Sequence, residues 1–389
     1  MKELLWQSRA EASSAELDSF PGLELPSFAE PVPLPEASSD SPDLRSFIEK
    51  LGSAGRLLRV KETVDWKFGV GRWARSRNKP LLFEKLHGYA KQRLFTNGLA
   101  DPACIQLALG FELGIRWSEV IADVRDRLAR PVQPKVVRNG PVLENVVPAS
   151  ALDLQQFPVP HWSTQDAGRY LGTWHLNITR DPENGKRNVG LYRMQLLGSK
   201  RATISAAPGS DLARQVARAE ETGTELPMAV VIGAPEVTVM AAAAACPEGM
   251  DEFELAGAMQ EKPIELIECG NLEVPAHAEI VVEGFIHPGV RVQDGPYLEY
   301  YGRPHTNPQA FLFEATRLMY RENPIFRGSA VGKAGAEDHQ LFAFLAQLKL
   351  LDFHGARMKQ KLQNYFWKRR AFRTAQMVAR MGSGRRGSN

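Results

Sequence analysis

Hydrophobic positions along the chain change their spacing three times, and each change marks a different kind of structure. Residues 1–42 mix Pro, Ser, Glu and Ala (FPGLELPSFAEPVPLPEASSDSP) with no sustained period, which predicts an extended or disordered arm. Ser41-Pro42-Asp43 then opens a helix on which Leu44, Phe47, Ile48 and Leu51 share a face, with Gly55 ending it. GRLLRVKETV and KPLLFEKL read as strands, and further helices begin at Asp101-Pro102 and Ser118-Glu119, the second burying Val120, Ile121, Val124 and Leu128. Residues 43–145 are therefore expected to be mixed α/β.

From Val146 to the neighbourhood of residue 325 the pattern shortens to alternating runs separated by Gly and Pro: GTWHLNITRD, NVGLYRMQLLG, MAVVIG, EVTVM, AEIVVEGFI and AFLFEATRLMY. Such spacing predicts a β-rich domain, a barrel with inserted helices. After Pro324 the pattern turns helical. The last stretch, MKQKLQNYFWKRRAFRTAQMVARMGSGRRGSN, holds no acidic residue, and its Met358, Leu362, Tyr365 and Phe366 form an apolar stripe. A packed terminal helix with a solvated basic face and a helix lying on a membrane surface or anionic partner both fit that pattern.

Composition narrows the class. With 43% hydrophobic and 24% charged residues over 389 positions, the chain can bury the cores of two or three domains. The formal net charge is only +3, from 48 basic and 45 acidic residues, so there is no general attraction to nucleic acid. Cys104, Cys246 and Cys269 have no paired spacing, which excludes a disulfide framework or cysteine zinc site and fits a reducing, cytoplasmic setting. The first residues lack the apolar core of a signal peptide, and no stretch is long enough to span a bilayer. Asn177-Ile178-Thr179 is accordingly a chance glycosylation match.

Two segments carry candidate chemistry. In RVQDGPYLEYYG, Asp294 and Glu299 flank a Gly-Pro turn that can bring two carboxylates together, so that one keeps a proton near neutral pH; an ordinary surface turn is the competing reading. In RDPENGKRNVGLYRMQL, a turn leads into a strand with Asn188, Tyr192 and Arg193. Asn188 and Arg193 are an odd number apart and would face opposite sides of a regular strand, unless Gly190 supports a bulge. An inward arginine needs an anion, and its fork suits a carboxylate; a surface ion pair is the alternative. His175 shares a strand face with Thr173 and Asn177, either lining a pocket or sitting satisfied in the core or at its rim. His161, His277, His287 and His305 lie in Pro-rich loops and are given no role.

These segments, in order, resemble the UbiD family of prenylated-FMN-dependent decarboxylases. The family's Asn, four residues, then Arg appears as Asn188 to Arg193, and its EGPxGE-type turn as Asp294-Gly295-Pro296-Tyr297-Leu298-Glu299. VVIGAPEVTVMAAAAACPEGMDEFELAGAM, IELIECGNLEVPAHAEIVVEG, LRSFIEKLGSAGRLLRV and KPLLFEKLHGY resemble further family blocks, so the likeness spans roughly residues 43–335. It implies an α+β fold: an N-terminal α/β domain (43–145), a central split β-barrel flavin-binding domain of UbiD type (146–325), and a shortened C-terminal helical segment with a basic tail (326–389).

The resemblance also implies roles. Arg193 would orient a substrate carboxylate, Glu299 would donate the proton after carbon dioxide leaves, and Asp294, shorter than the family's usual glutamate, would tune Glu299 through Arg193. Prenylated FMN would be held with a divalent metal, manganese or magnesium, on Asn188 and Glu252, with potassium close by and Thr173 touching the cofactor. The family's third metal ligand, a histidine, is missing: its place falls at about Gly209 in ATISAAPGSDL, where Asp211 is the nearest oxygen ligand. The activity implied is reversible non-oxidative decarboxylation of a small aromatic or α,β-unsaturated carboxylic acid by a homo-oligomer, its cofactor supplied by a flavin prenyltransferase, with peripheral membrane contact through the basic tail. The missing histidine and short C-terminus also admit a catalytically silent UbiD-like assembly subunit of a larger carboxylase. A flavin-binding oxidoreductase of related barrel form is a third option, disfavoured by the lack of a hydride-handling motif.

Overall fold

The computed structural model describes residues 36, 38, 40–89, 92–247 and 249–351. Most of the arm expected at residues 1–42 and the basic stripe of Met358, Leu362, Tyr365 and Phe366 lie outside them. The first helix, Leu44–Ser53, starts where its caps dictate: the Asp43 carboxylate accepts from the Ser46 N–H, and Ser46 answers with its hydroxyl at the Asp43 backbone. Its buried face is Leu44, Phe47, Ile48 and Leu51, as their spacing requires. The helices Pro102–Ala108 and Trp117–Leu128 also begin within a residue of their sequence signals.

A four-stranded sheet carries the N-terminal part, in the order Leu58–Val60, Leu81–Phe83, Arg93–Thr96, Ile325–Arg327. Its last strand arrives from far along the chain, pairing parallel to Arg93–Phe95. Helix was expected directly after Pro324; instead Ile325–Arg327 completes this sheet before the helix Glu337–Leu348 begins. A three-residue strand is too short to show a period.

The central unit is a seven-stranded sheet curled into a half-barrel. Its order is Arg201–Ile204, Pro304–Tyr320, Ile280–Leu298, Leu226–Ile232, His175–Arg180 and Arg187–Gly190, with Asn145–Pro148 also pairing with Pro304–Tyr320. The long hairpin of Ile280–Leu298 and Pro304–Tyr320 changes register four times, and such bulges bend a strand and increase its twist. The chain leaves one edge of the sheet at Gly190 and reaches the opposite edge at Arg201. Between them Met194–Gln195 pairs with Tyr170–Gly172, and Leu196 bridges to Ala202. Residues 191–196 thus cross the open seam of the barrel.

Three expectations are corrected. EVTVM is not a strand: Glu236–Ala242 is helical, with every residue from Glu236 to Met240 buried, so alternation carries no information, and the alanine run that follows favours helix. NVGLYRMQLLG is not one strand but two pieces broken at 191–193. The D-G-P segment is not a fold-back turn: Asp294, Gly295 and Pro296 lie inside Ile280–Leu298, and the chain reverses only at 299–303, where Glu299 N–H donates to Arg303 O (3.1 Å). Gly295 is required there, since its φ is +92° and a Cβ would stand 2.6 Å from the His305 carbonyl oxygen. Among the described residues no helix is long and apolar enough to cross a membrane.

One buried ion cluster ties the two sheets together. Arg327, 1% exposed, donates to Glu236 (2.7 Å) and Glu337 (2.6 Å), whose carboxylates also accept from Trp174 Nε1 and from the Asn97 N–H. Replacing Arg327 by Met leaves two carboxylates buried without a cation and is expected to cost about 3–5 kcal/mol in urea unfolding; a loss under about 1 kcal/mol would contradict this.

Candidate active site

Arg193 sits in the crossing segment because its neighbours hold the chain there. The Tyr192 N–H, which a regular strand would give to its ladder partner, instead donates to Asn177 Oδ1 (3.0 Å), and the Tyr192 ring packs over Gly190, where a Cβ would stand 2.4 Å from its Cε2. The ladder therefore stops at Gly190. The Arg193 carbonyl is picked up by the Ser205 N–H at the far edge (3.0 Å). Breaking the strand removes the parity conflict: Asn188 and Arg193 are no longer bound to alternate faces.

A bulge performs the same service for the acids. Asp294 opposes Asn307 and Tyr297 opposes His305, so three steps on one strand match two on the other. Residues 294 and 299, five apart, are thereby freed from facing opposite sides. Gln195 Oε1 accepts from Gly295 N–H (2.9 Å), Asp166 Oδ1 accepts from Leu298 N–H (2.8 Å), and Pro296 O accepts from Ala167 N–H (2.7 Å). These bonds fix the segment against the crossing strand at Gln195 and against residues 166–167.

Arg193, Asp294 and Glu299 meet. Nε and Nη2 of Arg193 both lie 2.6 Å from Asp294 Oδ1, and Nη1 is ion-paired with Glu299 Oε1. Asp294 is fully buried, and its other oxygen accepts from the Thr203 hydroxyl (2.6 Å). Thr203 Oγ1 in turn accepts the Gln195 N–H (2.9 Å), which leaves its own proton for Asp294. Asp294 is thus an acceptor on both oxygens and locks the guanidinium in place. The Glu299 side chain is 16% exposed and makes a single bond to Arg193, so of the two carboxylates it is the one that can exchange partners. The Tyr297 ring lies 5.2 Å from the guanidinium carbon, and burial pushes the Tyr297 phenol up. Tyr170 stacks on Tyr297 at 4.3 Å. His305, read as a loop histidine, lies on the strand Pro304–Tyr320 with Nδ1 3.4 Å from Arg193 Nη2. His287 is likewise within a strand, paired with Glu314.

Asn188 and Glu252 form a second group around the Tyr192 phenol, which faces Asn188 and lies within electrostatic reach of Asp211 and Glu252. Arg187, beside Asn188, pairs with Asp251 (3.0 Å) and so pins the start of the helix Glu252–Gln260 under this strand. Burial pushes the Glu252 carboxyl up to about 7, with Asp251 and Asp211 adding repulsion and the Val189 N–H opposing it. A half-buried carboxyl among other carboxylates, beside an amide oxygen, is a donor set that suits a hard divalent cation. Asp211 is exposed and pairs with Arg214, and among the described residues no group of three or more His, Cys, Asp or Glu gathers closely enough to hold a metal. Thr173 stands apart from both groups, its hydroxyl accepting from Ser329 N–H (2.9 Å). Thr203, Gln195, Asp166 and His305 had no sequence signal. Only the pairing of distant strands brings them to Arg193.

Comparison with known proteins agrees with this frame. Residues 48–128 match the family described as 3-octaprenyl-4-hydroxybenzoate carboxy-lyase N-terminal domain, and residues 135–334 that described as 3-octaprenyl-4-hydroxybenzoate carboxy-lyase Rift-related domain. Among solved structures, the vanillic acid decarboxylase of Sedimentibacter hydroxybenzoicus in closed form is similar with a TM-score of 0.74 and 30% identity, over 78% of this chain and 67% of that one. The UbiD-class enzyme HmfF from Pelotomaculum thermopropionicum is similar in an evolved dimeric form in complex with prFMN (TM-score 0.71, 29% identity, 79% and 71% covered). It is similar also in complex with FMN (TM-score 0.71, 30% identity, 79% and 68% covered).

Two outcomes follow from this geometry. Arg193→Leu leaves Asp294 buried without its cation and is expected to cost about 3–5 kcal/mol in urea unfolding, most of it recovered when Asp294→Asn is added; purely additive losses would contradict the pairing. Glu252 binds its proton more tightly folded, near 7, than unfolded, near its ordinary value of about 4.3, so its contribution to stability falls as pH rises through that window. In chelator-treated buffer the wild-type protein should lose stability between those pH values more steeply than Glu252→Gln; equal slopes would refute the assignment.

Proposed function

The chain belongs to the UbiD family of carboxy-lyases, and on that premise we propose that it decarboxylates a small aromatic or α,β-unsaturated carboxylic acid with prenylated FMN. The observation that carries the reading is the joining of Arg193, Asp294 and Glu299 at the barrel seam. Bound prenylated FMN would supply the electron sink for carbon–carbon cleavage. Asn188 and Glu252 would hold a manganese or magnesium ion beside its phosphate, the oxygen donors of that group being suited to such an ion. Thr173 remains a cofactor-contact candidate, its hydroxyl held by the Ser329 N–H.

The chain's own groups then divide the work. Arg193 has one Nη1 hydrogen not taken by Glu299, and an entering carboxylate competes with Glu299 for that nitrogen. Asp294, clamped by Thr203, keeps the guanidinium oriented while this exchange occurs. Glu299 released from its cation favours the protonated form, since an opposite charge within about 4–6 Å is what stabilises a carboxylate. It is then the acid that delivers a proton to the carbon from which carbon dioxide has departed, and substrate binding itself charges it for the task. In the reverse direction the same carboxylate takes that proton away.

A flavin prenyltransferase would supply the cofactor, and the dimeric form of the HmfF neighbour supports assembly as an oligomer. That the family's histidine position falls at about Gly209 favours a second reading, a silent assembly subunit of a larger carboxylase. One experiment separates the two. Co-expressed with a flavin prenyltransferase, the protein should purify with bound flavin and release carbon dioxide from a member of a cinnamic and hydroxybenzoic acid panel. Glu299→Gln should lower turnover by about a hundredfold or more, and Arg193→Ala should abolish it. Turnover that survives both changes would overturn the site, and neither flavin nor turnover would support the silent subunit.

A further inference from the structure

The strand Ile280–Leu298 has ladder partners on both sides only in its first part. Leu226–Ile232 pairs with it from Ile280 to Ile286, and beyond that point its ladder is with Pro304–Tyr320. The outer edge of residues 295–298 therefore has backbone groups to satisfy, and these are met one at a time. Gly295 N–H donates to the Gln195 side chain, Pro296 O accepts from Ala167 N–H, and Leu298 N–H donates to Asp166 Oδ1. The Asp166 bond is the last of these before Glu299. From Glu299 on, the hairpin holds itself, with Glu299 N–H donating to Arg303 O (3.1 Å) and Gly302 N–H to Glu299 O (2.8 Å).

A local role does not account for an aspartate at position 166. Its Oδ2 accepts from the Ser163 N–H (2.8 Å), a loop bond that a neutral Asn would also make. Its Oδ1 accepts from a residue 132 positions along the chain, the Leu298 N–H at 2.8 Å. Two donors on two atoms of one short side chain require a carboxylate, since an amide has a single acceptor atom. The residue is 6% exposed, and burial raises its hold on a proton, opposed by the Leu298 N–H, by Arg75 and by the Ser163 N–H. Arg75 acts through space, its own hydrogens going to Trp162 O (2.7 Å) and Val331 O (3.2 Å). A buried carboxylate is a costly way to close a loop, and the bond to the strand is what a neutral residue could not add.

We propose that Asp166 is a positioning residue for the proton donor: by holding Leu298 it fixes where the Glu299 backbone stands, so that only the Glu299 side chain moves when it leaves Arg193. A flexible glutamate delivers its proton to one carbon only from a fixed Cα. The proposal rests on the Glu299 reading given above and goes further, since it gives a role in the reaction to a residue whose hydrogen bonds are to neither Arg193 nor Glu299.

The test combines turnover by the full, flavin-loaded chain, on the panel acid that the wild-type protein uses fastest, with hydrogen–deuterium exchange of the flavin-free protein. Asp166→Ala should lower kcat by about tenfold or more, while KM stays within about twofold because Arg193 still holds the carboxylate. In a Glu299→Gln background the same change should leave the residual rate where it was, since the group being positioned is gone. In the flavin-free protein, exchange should quicken in the peptide covering residues 295–303 and stay unchanged in the strand Leu226–Ile232. If Asp166→Ala fails to fold, Asp166→Asn makes the same comparisons, keeping one acceptor atom and losing the other. Wild-type kinetics in the variant, an equal loss with and without the Glu299 carboxyl, or exchange that quickens throughout the chain would each overturn the inference and leave the proposed function standing. A wild-type chain without turnover would overturn both.

Discussion

Asp294 has no exposure to water, and Arg193 and Thr203 meet its two oxygens in the core. The two ion-pair partners are a hundred residues apart in sequence. One lies on the longest strand of the half-barrel, the other on the segment that crosses between its two edges. A buried pair of this kind contributes little net stability, yet losing either partner is expensive, so it selects the one arrangement in which the seam is closed at Arg193. The bonds from Gln195, Asp166 and Ala167 to the 295–298 segment support that arrangement from the other side.

From this constraint the chemistry follows with few additional parts. A guanidinium fixed by one fully buried carboxylate is preorganised for a second anion, and Glu299 occupies that second position as the more exposed and singly bonded partner. In the proposed reaction, exchange of Glu299 for a substrate carboxylate would couple binding to protonation without a separate switch. The Asn188 and Glu252 group is a different arrangement, a half-buried acid near other acids whose proton is held more tightly than usual. The two groups share the strand region 187–193, whose interruption at Gly190 lets one short stretch of chain serve both.

The resemblance to UbiD proteins and the α+β class were legible because Asn188, Arg193, Asp294 and Glu299 keep their spacing and order, and both family matches bear the resemblance out. The first helix was legible to its cap, since Asp43 and Ser46 are local signals. What could not be read were features decided by distant pairing. The segment Glu236–Met240 is buried on all sides, so its β-branched residues mimic a strand. The Asp294 bulge depends on register with Asn307 and His305, and no local pattern reports register. The places of Thr203 and His305 beside Arg193 depend on which strands become neighbours, information that a single sequence does not display.

The central claim, that Arg193 exchanges a protein carboxylate for that of the substrate, is tested most directly by a crystal structure of the flavin-loaded protein with an unreactive aromatic acid bound. The account requires the ligand carboxylate on Arg193 Nη1, Glu299 displaced from that nitrogen, and Asp294 still joined to Nε. A ligand seated elsewhere, with Arg193 held by Asp294 and Glu299 as in the free protein, would contradict it.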